Sequence, residues 1–378
     1  MFDYESLRLI AWSVVGLLLI GFAITDGFDL GVAALLPVLG KTNTDRRIMI
    51  NAIAPHWDGN QVWLITAGGA IFAIWPTVYG VTFSGFYLAM VLALAALWLR
   101  PIGMDYRAKI DNPKWRNACD CALVVSGIIP PVIFGVGFGN LLLGVPFEFN
   151  SMLAMSYQGG FWDLLTPFPL LCGVISLMMM ITQGASFLAI KTTGELQRNA
   201  RQAACLGAYA TMALFAAAGI YAISLPGYLI DDQIATQLAS NPLTKHVSVV
   251  GSDLLHNYKN WPVLWLAPAM AGAMLLVTAA FTRMQCAGKA FACSSVALAC
   301  IILTAGIALF PMIVPSSLNP NHSLTIWDAS SSQFTLSIVL LVALVMVPII
   351  LGYTAWCYYK MFGKVDQAFI KANDTSLY

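Results

Sequence analysis

Charge is scarce in this chain: 10% of its 378 residues are Asp, Glu, Lys or Arg, against about 25% in soluble domains. With 59% hydrophobic residues and a mean hydropathy of +0.77, that scarcity excludes a soluble globular domain and describes a polytopic membrane protein. Histidine is scarcer still. Of four, His246, His256 and His322 fall outside the apolar spans and His56 alone falls inside one. A haem held between facing helices needs axial His, Met or Cys ligands, so no haem site is visible, and the 16 Met read as apolar packing. Eight cysteines occur without a C-x-x-C pair, which excludes a disulfide framework or a thiolate metal site. There is no Walker A loop, no G-x-G-x-x-G and no H-E-x-x-H, hence no nucleotide site or hydrolytic centre. A net charge of +1 gives no ground for nucleic-acid binding; lipid, other membrane subunits and small molecules are the expected partners.

What is abundant is apolar sequence in lengths of about 20 residues, the span of a hydrocarbon core roughly 30 Å thick. Nine spans are predicted, at 7–38, 47–75, 77–100, 119–143, 163–190, 202–224, 261–282, 289–312 and 334–359. The fold class is therefore all-α. Alternating the spans puts 16 of the 19 basic residues on one side, from Lys41 and Arg46 through Lys364 and Lys371, and leaves Arg8, Lys245 and Lys259 on the other. The positive-inside rule then places the N-terminus outside and the C-terminus in the cytoplasm. The first eight residues carry Asp3 and Glu5 and lack a basic region, as expected of a retained signal-anchor.

Ile24-Thr-Asp-Gly27 is echoed by Ile181-Thr-Gln-Gly184, each followed by a Lys-Thr loop at Lys41 and Lys191. The echo fits two four-helix bundles with one peripheral helix added. Residues 1–145 would form the first bundle and 146–313 the second, with an external loop at 225–260 carrying Asp231, Asp232, His246, Asp253 and His256. Residues 314–378 would hold the ninth helix and a cytoplasmic tail.

The stretch Ala54-Pro-His-Trp-Asp-Gly-Asn-Gln61 sets His56, Asp58, Asn60 and Gln61 inside a span. A charged group at mid-bilayer costs about 2.5–3.5 kcal/mol on insertion scales, so such groups need an internal partner or a watery path. Asp29 lies 12 residues before Lys41 and Asp58 lies 11 after Arg47, which predicts a shared depth roughly 16–18 Å from the helix ends. Asp26 and Asp29, at i and i+3, share one helix face. Arg100 ends the third span on the same side, within reach of a carboxylate, and Asp105 follows. One reading makes Asp26, Asp29, His56 and Asp58 a proton-conducting cluster; the other makes them a hydrogen-bonded knot between helices. Trp57 and Trp63 flank the cluster as packing or interface aromatics.

Taken together, Ala54 to Gly69, Thr25-Asp-Gly-Phe-Asp-Leu-Gly31, Ser84-Gly-Phe-Tyr87, Arg100-Pro101, Phe138-Gly-Asn140, Thr304-Ala-Gly306, Trp327-Asp328 with Ser330 to Gln333, and Ser376-Leu-Tyr378 closely resemble subunit II of the cytochrome bd quinol oxidases. The resemblance covers essentially the whole chain. It implies a nine-helix bacterial inner-membrane protein paired with a larger subunit I, which holds b-type and d-type haems and oxidises quinol. The complex reduces dioxygen to water and builds a proton gradient without pumping. It further implies that Asp58, with His56, Asp29, Asp26, Arg100 and Asp105, belongs to a proton path toward those haems, and that Trp63 sits near an oxygen route. A structural ubiquinone inside this subunit and small single-helix accessory subunits belong to the same expectation. The alternative from the residues alone is a proton-coupled secondary transporter, suggested by the acidic cluster, the internal echo and the Gly/Pro-interrupted first spans.

Overall fold

The computed structural model describes residues 3–231 and 236–372; Asp232, Ser376-Leu-Tyr378 and the side chain of Lys371 lie outside the described residues. The helices are α1 (Tyr4–Leu39), α2 (Asn43–Ile53), α3 (Trp57–Ile74), α4 (Pro76–Gly85), α5 (Tyr87–Asp105), α6 (Pro113–Leu143), α7 (Pro167–Lys191), α8 (Gly194–Ala222), α9 (His256–Asn260), α10 (Leu266–Arg283), α11 (Ala287–Leu309), α12 (Gln333–Lys360) and α13 (Gln367–Ala372). Among the described residues eight helices are long and apolar enough to cross a membrane: α1, α5, α6, α7, α8, α10 with the turn before it, α11 and α12.

The expected second and third spans differ from the prediction, and proline explains much of it. Pro55 has no N–H to give and its ring crowds the preceding turn, so 47–75 divides into α2 and α3, with the Ala54 and His56 amides closing turns on Ile50 and Ile53. Asp58, Asn60 and Gln61 occupy the first turns of α3, which is why α3 is not among the eight. The span expected at 77–100 divides into α4 and α5 at Phe86, whose φ of −97° and ψ of 21° leave the helical region.

α1 is the hub and packs against α3, α6, α7, α11 and α12. Its contact with α7 is made by small residues, as expected where no hydrophobic force draws helices together in lipid. A Cβ on Gly31 would stand 1.9 Å from the Met180 carbonyl oxygen, and one on Gly184 would stand 2.5 Å from the Val32 nitrogen. Gly184 of the second echoed segment thus packs on Gly31 and Val32, one turn beyond the first, and Gln183 Nε2 donates to the Ile24 carbonyl oxygen of the first at 3.3 Å.

The two ends differ in chemistry. At one end Asp120 receives Arg107 Nε at 2.6 Å and Arg46 Nη1 at 2.8 Å, and Lys191 Nζ donates to the Met361 carbonyl oxygen at 2.6 Å. At the other, three antiparallel hairpins form a cap: β1 (Phe147–Phe149) with β2 (Met155–Tyr157), β3 (Gly227–Ile230) with β4 (Val247–Val250), and β5 (Met312–Val314) with β6 (Leu324–Thr325). These strands are a departure from an all-helical chain. Fully buried Arg8 staples the cap to α1, donating to Ser330 Oγ at 2.7 Å and to the Thr236 carbonyl oxygen at 2.5 Å. Buried Lys245 and Asp328 pair at 2.6 Å; burial pushes the Lys245 ammonium below its ordinary range while Asp328 opposes that.

Gly184→Val is expected to destabilise the protein by about 3 kcal/mol or more, since the obstruction is backbone that cannot turn away. Gly219→Ala, with open space around it, is expected to be neutral. Thermal unfolding of the purified protein checks both.

Candidate functional site

α1 presents Asp26 and Asp29 on the face that meets α3 and that Arg100 of α5 reaches, and both are completely buried. Arg100 of α5, also completely buried, donates through Nη1 to Asp26 Oδ1 at 2.5 Å and through Nη2 to Asp26 Oδ2 at 3.3 Å. This two-pronged contact is the geometry for which guanidinium and carboxylate are matched. It gives each charge the partner that a low-dielectric interior demands.

Asp29 is served differently. Its Oδ2 accepts from Asn60 Nδ2 at 2.7 Å, while its Oδ1 is buried with no hydrogen-bond partner in the described chain. Asn60, placed by the first turn of α3, accepts in turn from the Tyr358 hydroxyl of α12 at 2.5 Å. His56 sits at the break between α2 and α3, buried, with its ring centroid 4.6 Å from that of Tyr358 and its Nε2 also without a partner. The site is thus one locked ion pair beside one carboxylate with an open valence. Buried polar atoms left unpaired by protein are ordinarily met by water.

The structure brings Asp26, Asp29, Arg100 and His56 into one cluster with Asn60. It does not bring Asp58 into it. Two residues before Asn60 on α3, Asp58 faces the opposite way, is exposed on the surface of the chain and has no partner among the described residues. Asp105 ends α5 half-buried, beyond the ion pair. Trp63 is buried in a core with Leu18, Phe22, Leu30, Ala67 and Leu97, its ring on Gly21, where a Cβ would lie 2.6 Å from the indole. The sequence does not single out Tyr358. Its neighbours Cys357, Tyr359 and Lys360 make it look like an interface aromatic at a helix end, and nothing local marks it as the partner of Asn60.

Two of the remaining histidines, His256 and His322, are held by neighbours. His256 Nδ1 meets Asp253 at 2.8 Å and its Nε2 meets Asn260 at 2.7 Å; Lys259 first, then His256, hold the Asp253 carboxyl below its usual range. His322 Nδ1 accepts from the Phe149 amide at 3.0 Å, and its Nε2 lies 3.2 Å from Asn319 Nδ2. His56, by contrast, lies with its ring tilted by 51° against that of Tyr358.

Fold and site together define a polytopic helical membrane protein organised around a buried acid–base cluster. The model of the family described as cytochrome bd terminal oxidase subunit II matches residues 7–361. The chain belongs to that family, and its place is in an oxidoreductase complex of the bd type. It is 53% identical over 379 residues to the cytochrome bd-I ubiquinol oxidase subunit 2 of Escherichia coli, covering all of both chains. It is 52% identical over 378 residues to the probable cytochrome oxidase subunit 2 of Haemophilus influenzae, again covering all of both. It is 30% identical over 362 residues to the cytochrome bd ubiquinol oxidase subunit 2 of Bacillus subtilis, covering 96% of this chain and 98% of that one. A chain of the bd oxidase structure from Geobacillus thermodenitrificans shares the fold, with a TM-score of 0.70 at 18% identity over 95% of this chain and all of that one. Membership in this family sets the transporter alternative aside, and it implies a subunit I partner, a haem-dependent complex and a multi-pass membrane location.

Asp26→Asn leaves Arg100 charged, buried and unpaired, and is expected to cost about 3–5 kcal/mol. The double variant Asp26→Asn/Arg100→Met is expected to recover most of that loss. Melting temperatures of the purified complexes test the difference, and equal losses in both would contradict it.

Proposed function

We propose that this chain is the haem-free half of a quinol oxidase, pairing with a subunit I that carries haem b, haem d and the quinol-oxidising loop, and that it supplies part of the path by which protons reach the oxygen chemistry. Quinol would be oxidised at the outer face, dioxygen reduced to water, and protons drawn from the cytoplasm. The names of the E. coli and B. subtilis relatives specify ubiquinol, which is the donor proposed here. The observation that carries the proton reading is Asp29 Oδ1, a completely buried acidic oxygen with no donor among the described residues. It sits one hydrogen bond from Asn60, on the helix whose other face exposes Asp58. A carboxylate exposed at membrane depth needs a partner or water, and subunit I docking over α3 would provide that surroundings. When present, the haems of subunit I supply the electron transfer and oxygen reduction; the residues of this chain hold and pass protons. In this reading Asp58, Asp29 and His56 carry protons, the Asp26–Arg100 pair fixes the wall beside them, and Asp105 faces the intake side. Trp63 belongs to the packed floor of a proposed oxygen route.

α3, 18 residues long, spans about 27 Å at 1.5 Å per residue and serves as the ninth crossing in the proposed topology. The N-terminus is then outside and the C-terminus in the cytoplasm. The meeting of Arg46, Arg107 and Lys191 at one end and of Arg8 and Lys245 at the other supports that orientation. The division at 145 and 313 into two bundles and a peripheral helix draws support from the contact between the echoed segments. An open cleft of about 550 Å³ at the outer end, lined by Leu142, Leu309, Phe310 and Met312 and also by Asp231, Asp253, His256 and Asn257, is the proposed place for a structural ubiquinone by its size. Lipid and single-helix accessory subunits would cover the remaining apolar faces, α12 above all.

The complex captured through this chain should show b- and d-type bands in its reduced-minus-oxidised spectrum and quinol-dependent oxygen uptake. Asp58→Asn is expected to lower that uptake at least about tenfold with haem content unchanged. Wild-type turnover in this variant would remove Asp58 from the path.

A further inference from the structure

The chain Asp29, Asn60, Tyr358 runs outward through the protein. Asp29 is 0% exposed and Asn60 2%, while Tyr358, in the last turn of α12, is half-buried. Its direction is dictated by chemistry. Where Asp29 is ionised it can only accept, so Asn60 turns its amide nitrogen to Asp29 Oδ2, which leaves its carbonyl oxygen facing Tyr358, and the tyrosine hydroxyl donates to it. Among the described residues no other group donates to that carbonyl, whereas Asn60 Nδ2 also touches the Thr25 carbonyl oxygen at 3.3 Å. Without the hydroxyl, the Asn60 carbonyl would be buried and unsatisfied, a condition that drives a side chain to turn toward another partner. Tyr358 also covers His56, whose Nε2 is buried without a partner, and its ring packs near Phe28 at 6.2 Å.

We propose that Tyr358 is a positioning residue for proton delivery: its hydroxyl locks the amide of Asn60 onto one oxygen of Asp29, so that the other oxygen alone is presented to incoming water, and its ring closes the side of the cluster nearest the α12 surface. This rests on the proton-path reading above. Tyr358 touches neither substrate nor haem; it acts through Asn60, which makes α12, the least buried of the long helices, a working wall of the site.

The test uses the complete complex with four variants of this chain: Tyr358→Phe, which keeps the ring and removes the hydroxyl, Asn60→Leu, the double variant, and Asp29→Asn. Tyr358→Phe is expected to lower oxygen uptake about threefold to tenfold, the scale of one buried hydrogen bond, with haem spectrum and subunit content unchanged. In the Asn60→Leu background the same change is expected to have little further effect. The infrared difference band lost in Asp29→Asn is expected to shift in Tyr358→Phe, a signature that a purely structural tyrosine would not move. An unshifted band, unchanged turnover in Tyr358→Phe, or an equal additional loss in the Asn60→Leu background overturns the proposal. Wild-type turnover in Asp29→Asn would overturn the proton-path reading itself, and is distinguished by that variant alone.

Discussion

Everything in this site follows from the cost of holding ionised groups where no water is at hand. Asp26 and Arg100, both completely buried, solve that problem for each other with two hydrogen bonds. In doing so they tie α1 to α5. A buried ion pair of this kind adds little net stability compared with well-packed apolar residues; its effect is to fix two helices at one register and to spend the charge of Arg100 on a single carboxylate. Asp29, three residues further along α1, is thereby left to a neutral amide.

That inequality between two neighbouring acids gives the cluster its chemistry. One carboxylate is closed on both oxygens and stays where it is. The other keeps one oxygen free of donors among the described residues and is linked through Asn60 to Tyr358. Groups with an open valence in a dry interior are those that water and protons can reach with the least rearrangement. The break at Pro55 makes this arrangement possible: by ending α2 and restarting the helix at Trp57, it turns the polar first turn of α3 so that Asn60 faces α1 while Asp58 faces out of the chain. One short motif therefore serves both an interior and an exterior surface.

Much of this was legible from the residues. Hydropathy marked the long apolar helices but not the divisions of the second and third expected spans, and the i, i+3 placement of Asp26 and Asp29 put both carboxylates on one face. The reach of Arg100 was also legible, though its choice of Asp26 over Asp29 depends on tertiary geometry. Equal depth predicted that Asp58 would join Asp29; depth says nothing about direction around a helix axis, and the restart after Pro55 rotates Asp58 away. Tyr358 was illegible because it lies 298 positions from Asn60 and carries no local mark of its role. The echo of Thr25-Asp-Gly27 in Thr182-Gln-Gly184 lies where α1 and α7 pack, with Gly184 on Gly31 and Val32, a place that a search for chemistry passes over because Gln183 replaces the acid. The hairpin cap was missed since its strands are two to four residues long and are held by long-range contacts such as those of Arg8.

The account turns on what occupies the space beside Asp29 Oδ1, and an experimental map of the complete complex at a resolution that shows ordered water addresses it most directly. The account predicts one or more waters hydrogen-bonded to that oxygen and continuing past His56 toward Asp58 and the face of subunit I. A dry Oδ1 capped by a cationic side chain of the partner, or an Asp58 buried against apolar residues with no water beside it, would contradict it.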